Sequence, residues 1–422
     1  MGKDLVAPDW PPLTGDEVCA VLAPYPACGD GGAAHHPVVT WRSPRPMSAA
    51  ALVSCGEDDG SGRLVFVKRH HAAVRSTAQL STEHALAAYL RRAGLPVPAV
   101  LWDAAGATVA EHGDFRYEVH EVAAGIDLYR HAPSWSPFTS RGHAFAAGAA
   151  LARLHDLAAG FPLPERPPAP LLSSCAVLAA VSPSASSAGP GGAACPAAPG
   201  RLALPADLLG AVARFAAGLP ALSAYLSSRD WPADLDRDLR APIERSAPLL
   251  AALPRQWGHG DWHPSNLTWT GRGPNAAVTG ILDLSLANRT LAVHDLAMAL
   301  ERTAVSWLDL DETGHAAADL AAADALLDGY ASVRPLSDLE IAALAGVLPI
   351  VHLEYALTEI EYFAGIVGSA GNADLAYDGY LLGHARWFAT PEGAALLDRI
   401  RSRASGSQQP TRRSRVARPI LE

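Results

Sequence analysis

The sequence predicts an α+β chain of two unequal lobes, a small β-rich N-terminal lobe and a larger, mostly helical C-terminal lobe. Three observations carry this reading. Apolar, β-branched runs cluster between residues 37 and 123, with one helical pattern among them. From residue 143 onward, apolar residues recur mainly at helical spacing. Within that second half stands a polar loop, HGDWHPSN at 259–266, followed by a short apolar run ending in ILD at 281–283.

Taken in order, residues 1–34 are rich in Pro, Gly and Ala and read as a loosely ordered leader with one short helix. PVVTW (37–41), AALVSC (50–55) and RLVFVKRH (63–70) read as strands, with EDDGSG (57–62) as a hairpin turn. STEHALAAYLRRAG (81–94) reads as a helix capped by Ser81 or Thr82 and ended by Gly94. LPVPAVLWD and the alternating FRYEVHEVA (115–123) supply two further strands. The N-lobe is thus expected over 35–122 and the helical lobe over 123–400. HAFAAGAALARLHDL (143–157) is a helix by its apolar spacing. Residues 161–200 carry only Glu165 and Arg166 as charges. This Pro/Ser/Ala-rich composition cannot offset ordering entropy, so a mobile insertion near 162–204 is expected, without chemistry. Helical patterns at 294–308, 314–333 and 337–366 follow, and the basic tail after 401 reads as disordered.

Net charge is −10 over 422 residues. Phosphate binding wants a basic surface, so a nucleic-acid partner is not expected. Five scattered cysteines suggest neither zinc nor a disulfide framework, and a reducing cytoplasm is the simplest home. No signal peptide and no membrane span are expected. Nothing in the sequence indicates an oligomeric state.

The loop carries the chemistry. Asp261 and Asn266 lie five apart, and Asp283 follows Asn266 by seventeen. That is the spacing of a catalytic base and two magnesium ligands in phosphoryl transfer. Asp261 is the candidate base. Asn266 offers an amide oxygen and Asp283 a full charge, both hard donors suited to Mg2+. A zinc-hydrolase reading of His259 and His263 needs a helix, which Gly260 and Pro264 disfavour. Lys68, one of two lysines in the chain, ends the apolar strand VFVK. A lone lysine is usually a solvated charge; on this strand, before a helix holding Glu83, it becomes a candidate phosphate ligand oriented by Glu83.

HGDWHPSNLTW followed by GILDLSLANRTLAVHDLAMALE resembles the aminoglycoside phosphotransferase family, the small-molecule branch of the protein-kinase-like fold. Choline and homoserine kinases fall within that group. The matching residues are His259, Gly260, Asp261, His263, Asn266 and Asp283; the turn at 271–277 is longer than the family pattern. The resemblance implies an ATP- and Mg2+-dependent kinase acting on a small-molecule hydroxyl. It implies a hinge at the end of the edge strand, where the backbone of Glu121 and Val122 meets adenine. It makes Asp295 a brace of the catalytic loop and His155 a packing or hydrogen-bonding residue. Arg45, in the stretch that takes the place of a Gly-rich loop, is a candidate phosphate contact.

For the acceptor, Glu354, Glu359 and Glu361 share a helix with Tyr355, Tyr362 and Phe363. Glu354 and Glu361 are seven apart and so lie on one face. With Trp262 as a pocket wall, they suit a cationic amino sugar, aminoglycoside or amino alcohol. The competing reading is a catalytically silent nucleotide-binding scaffold on the same fold.

Overall fold

The computed structural model describes residues 8–29, 36–47, 49–56, 62–173, 175, 177 and 208–404. The tail after 404 and most of the low-complexity stretch lie outside these residues. Five antiparallel strands build the N-lobe sheet: β1 (Val38–Arg42), β2 (Ala49–Cys55), β3 (Arg63–His71), β4 (Val109–His112) and β5 (Phe115–Glu121), in the order β1-β2-β3-β5-β4.

Strand periodicity sorts its side chains. Ala51, Val53, Val65, Val67, Tyr117 and Val119 enter the N-lobe core. Their alternates, Ala50, Leu52, Phe66, Lys68, Glu118 and His120, line a cleft on the opposite face. The expected strand LPVPAVLWD forms only an isolated bridge, Val100 to His120. Pro96 and Pro98 lack the N–H that a ladder needs.

The leader differs from expectation. The helix Gly15–Leu22 starts on a Thr14–Glu17 capping box. Leu13, Val18, Val21, Leu22 and Tyr25 pack on the apolar sheet face. That face would otherwise be left in water, which explains why a Pro-rich segment orders. Cys28 and Cys55 form a disulfide joining the leader to β2. The sequence suggests no such pairing, and the cysteine argument for a reducing compartment loses its premise.

The helix Thr77–Arg92 begins earlier than expected. Ser76 caps it, accepting from Gln79 N while the Gln79 side chain accepts from Ser76 N. Glu83 therefore sits in the second turn, inside the cleft wall, rather than at the helix start.

In the C-lobe the helices Arg141–Ala158 and Leu320–Val333 pack closely. A Cβ at Gly148 would lie 2.0 Å from Leu326 O, and one at Gly329 would lie 1.9 Å from Phe145 O, so only glycine permits the contact. The beginning of the expected mobile insertion is part of this core. Leu171, Leu172, Cys175 and Val177 are buried. Arg166 donates to Ser285 O (2.8 Å) and Ala287 O (3.0 Å). The helical run Asp338–Val367 is long and apolar enough to cross a membrane, but 89% of its most apolar window is buried inside the fold. It forms the centre of the C-lobe core.

Candidate active site

The loop at 259–266 is framed by β6 (Arg255–Gly258), β7 (Leu267–Trp269), β8 (Val278–Ile281) and β9 (Asn288–Leu291). β6 pairs with β9, and β7 with β8. In the second pair Leu267 faces Ile281, and Leu282 N donates to Asn266 O at 2.9 Å. This register sets Asn266 beside Asp283, although seventeen residues separate them.

Asp295, in the first turn of the helix Ala292–Ala304, holds the loop backbone. Its carboxylate accepts from His259 N (2.6 Å), Gly260 N (2.7 Å) and His155 Nε2 (2.9 Å). Tyr330 OH meets the other imidazole nitrogen of His155 at 2.8 Å. Burial opposes the Asp295 charge, but these bonds and the neighbouring imidazoles hold its pKa down to about 2. Gly260 adopts φ +75°, and a Cβ there would lie 2.4 Å from Leu286 O.

Asp261 forms an ion pair with Arg302 Nη1 and lies 3.4 Å from His263 Nε2. Asn266 Nδ2 donates to Asp261 O (2.9 Å) and Oδ2 (3.1 Å), which commits the amide nitrogen and turns the amide oxygen away. Asp283 has φ +56°, an uncommon conformation for a residue with a Cβ. Its Oδ1 accepts from Lys68 Nζ at 2.7 Å and Ser285 Oγ at 2.5 Å. Burial would raise its pKa, yet the Lys68 charge and these bonds hold it below the usual carboxylate range.

Lys68, Glu83, Arg45, Asn266, Asp283, Glu121 and Val122 all line one cleft of about 240 Å3. Asp261 touches it through Asn266. The expected Lys68–Glu83 pair is not formed. The second carboxylate near Lys68 is Glu118, at 3.9 Å, which faces it directly across the β3–β5 register. Glu118 in turn accepts from His70 (2.9 Å), His84 (2.9 Å) and His120 (3.1 Å). Glu83 is buried with Oε2 unpartnered among the described residues, and burial and the Glu118 charge raise its pKa. At the hinge, Glu121 N already donates to Ala99 O at 2.9 Å. Val122, beside it at the cleft edge, is exposed.

Three acceptor expectations need correction. Trp262 is fully buried, edge-on to the His259 ring, and is no pocket wall. Glu354 Oε1 accepts from Val177 N, and Glu361 Oε2 accepts from Leu222 N, each at 2.6 Å. These two carboxylates share a face, as their spacing requires, but the face meets backbone amides and presents no substrate surface.

Glu359 behaves differently. It is 1% exposed, and neither carboxylate oxygen has a hydrogen-bond partner among the described residues. Burial pushes its pKa up to about 8. It lines a second cavity of about 160 Å3 with Asp9, Trp135, Trp307, Phe363 and Tyr380. Two π-helical turns, Tyr362–Val367 and Leu375–Gly383, shape this wall. Asp9 enters from the leader, its carboxylate accepting from Tyr362 OH at 2.9 Å. Arg302 links the two sites: its guanidinium pairs with Asp261 and lies 5.6 Å from the Trp135 ring centre.

The sequence reading misses Arg302, Glu118 and Asp9. Arg302 carries a usable signal, since it lies seven residues after Asp295 and so on the same helix face. Asp9 carries none, because its place depends on how the leader docks.

A profile described as the Phosphotransferase enzyme family matches residues 56–336. Homoserine kinase of Gluconobacter oxydans is 33% identical over 118 residues, 28% of this chain and 34% of that protein. Homoserine kinase of Gluconacetobacter diazotrophicus is 38% identical over 113 residues, 26% of this chain and 31% of that protein. The chain thus matches about a third of the length of these curated relatives. Among solved structures, an aminoglycoside phosphotransferase from Alicyclobacillus acidocaldarius superposes with TM-score 0.50 at 17% identity, covering 94% of this chain and 98% of that one. An amicoumacin kinase bound to AMP-PNP, Ca2+ and Ami superposes with TM-score 0.51 at 13% identity, covering 94% of each. Both share the bilobal, protein-kinase-like architecture. With the profile spanning most of the sequence, the chain belongs to the phosphotransferase enzyme family.

Proposed function

We propose that this chain transfers the γ-phosphoryl group of ATP, with Mg2+, to a hydroxyl of a small, amine-bearing molecule. The observation that carries the reading is the convergence of Lys68, Asn266 and Asp283 on one cleft, with Asp261 bonded to Asn266 behind it. Asp261 would take the hydroxyl proton as the acceptor oxygen attacks. Asn266 and Asp283 fit Mg2+ by donor chemistry: both offer hard oxygens, and the Asn266 nitrogen is already committed to Asp261. Bound there, the ion would neutralise charge on the transferring phosphoryl group. Lys68 would hold a phosphate oxygen, exchanging part of its contact with Asp283 for the nucleotide, while Glu118 keeps it in register. Arg302 positions the Asp261 carboxylate.

The acceptor class follows from the second cavity, about two-thirds the size of the nucleotide cleft (160 against 240 Å3). It presents the buried carboxyl of Glu359 and the half-buried carboxylate of Asp9 among four aromatic rings. Ionising a carboxyl buried without hydrogen-bond partners is costly, and an ammonium group would favour the ionised form while meeting ring faces. The homoserine for which the two curated relatives are named is a small amino alcohol and falls inside this class.

ADP release over a panel of small alcohols, with and without amino groups, tests this reading. Mg2+-dependent turnover confined to amine-bearing members is expected. Tight Mg2+-nucleotide binding with no turnover on any member would favour the silent scaffold.

A further inference from the structure

Deep in the C-lobe, Glu301, His352 and His384 come together from three segments distant in sequence. They belong to the helix Ala292–Ala304, the start of the helix Leu353–Glu361 and the start of the helix His384–Trp387. Each offers one donor atom, and the three atoms lie within 4.8 Å of one another. All three residues are buried, Glu301 and His352 completely.

The local bonding leaves acceptor atoms of His352 and Glu301 without partners close together. His352 Nε2 meets Leu381 O at 3.0 Å. A carbonyl only accepts, so Nε2 carries the proton and Nδ1 presents a lone pair. That Nδ1 has no hydrogen-bond partner among the described residues, nor has Glu301 Oε2, nor the Tyr380 hydroxyl beside them. Glu301 Oε1 is 2.7 Å from His384 Nδ1, which by the same rule carries its proton here and would release it to ligate an ion through that nitrogen. Stacking on Trp307, with ring centres 3.5 Å apart, fixes the plane of the His384 imidazole. Burying two unpaired acceptors together costs free energy that a shared cation would recover.

We propose that Glu301, His352 and His384 bind a divalent transition-metal ion, with zinc the best match. Two imidazoles and one carboxylate form a standard zinc donor set that leaves a fourth position for water. Zinc bonds of about 2.0–2.2 Å put tetrahedral donors roughly 3.3 Å apart, within the spread found here. The Leu381 carbonyl on His352 is the outer-shell contact that fixes an imidazole for ligation. His384 and Tyr380 also line the cavity holding Glu359, so the ion would rigidify that wall. The site is independent of the Mg2+ position proposed at Asn266 and Asp283.

Co2+ serves as the spectroscopic probe. Full-length protein is stripped with chelator, titrated with Co2+ and then challenged with Zn2+ and Mg2+. One equivalent with the strong visible absorption of a low-coordinate site is expected, displaced by Zn2+ and unaffected by Mg2+. Zn2+ at about a hundredfold excess over its Kd should raise Tm by roughly 5 °C. His352→Asn and Glu301→Gln should abolish the absorption, whereas His84→Asn, in the separate histidine group around Glu118, should keep it. If wild-type protein gains neither absorption nor Tm, the three unpartnered atoms hold a water molecule and the proposal fails. It fails equally if the signal survives His352→Asn and disappears with His84→Asn.

Discussion

The HGDWHPSN loop and the cavity at Glu359 both hold buried carboxyl groups, but they treat them in opposite ways. In the loop, Asp295 is surrounded by two backbone amides and an imidazole, and Asp283 by a lysine and a serine. Both carboxyls are held below their ordinary pKa. In the cavity, Glu359 has no hydrogen-bond partner among the described residues, and its carboxyl is pushed up to about 8. Partnered carboxyls stay ionised before any ligand arrives. An unpartnered carboxyl leaves free energy for a ligand to recover, which is how a site acquires selectivity. The same helix illustrates the contrast within nine residues, since Glu354 and Glu361 are spent on backbone amides while Glu359 is not.

The largest effect should come from breaking the frame. Asp295→Ala leaves His259 N, Gly260 N and His155 without their acceptor in a fully buried place. Loss of such a buried network costs about 3–5 kcal/mol, so chemical denaturation should show a large drop in midpoint. A drop below about 1 kcal/mol would mean that the loop does not depend on this brace.

Next comes packing by the low-complexity stretch. Leu172 is 2% exposed. Leu172→Ala should cost about 2–4 kcal/mol, the range for buried leucine truncation. The expectation from composition alone, that this stretch is a mobile insertion, predicts no change. Thermal melts of the two proteins decide between them.

The smallest effect sharpens the cavity side. Glu359→Gln should raise KM for an amine-bearing acceptor about tenfold, or about 1.4 kcal/mol, and spare KM for ATP. Glu354→Gln should not discriminate between the two substrates. pH offers a second handle. The Glu359 pKa is raised above its unfolded value, so its neutral form favours folding at low pH. That contribution is lost as pH rises from about 4.5 to about 8, at up to roughly 1.4 kcal/mol per unit. Urea midpoints should therefore fall with pH more steeply in wild type than in Glu359→Gln. Acceptor KM should move the other way, falling toward pH 8 as the carboxylate ionises. Parallel pH curves for the two proteins would remove Glu359 from the substrate site.

Much of this molecule is legible in its sequence where the signal is local. The alternation in RLVFVKRH already separates Val65 and Val67 from Phe66 and Lys68, and the turn-rich HGDWHPSN already excludes a helix. The unread parts depend on tertiary packing. The leader orders because the sheet presents an apolar face to it, which no composition count contains. Glu118 displaces Glu83 beside Lys68 because strand register sets it directly opposite. The helix cap was within reach, since STAQ at 76–79 is a capping box as well spelled as the later STEH. Heptad spacing correctly puts Glu354 and Glu361 on one face; it cannot say what that face meets.

The most direct test of the central claim separates the two carboxylates on either side of Asn266, Asp261 and Asp283. Mg2+-nucleotide affinity and turnover should be measured side by side for Asp261→Asn and Asp283→Asn. The account predicts that Asp261→Asn keeps nucleotide affinity and loses about 10^2–10^4-fold in kcat, while Asp283→Asn loses Mg2+-nucleotide affinity. Near-wild-type kcat in Asp261→Asn, or unchanged nucleotide affinity in Asp283→Asn, would contradict it.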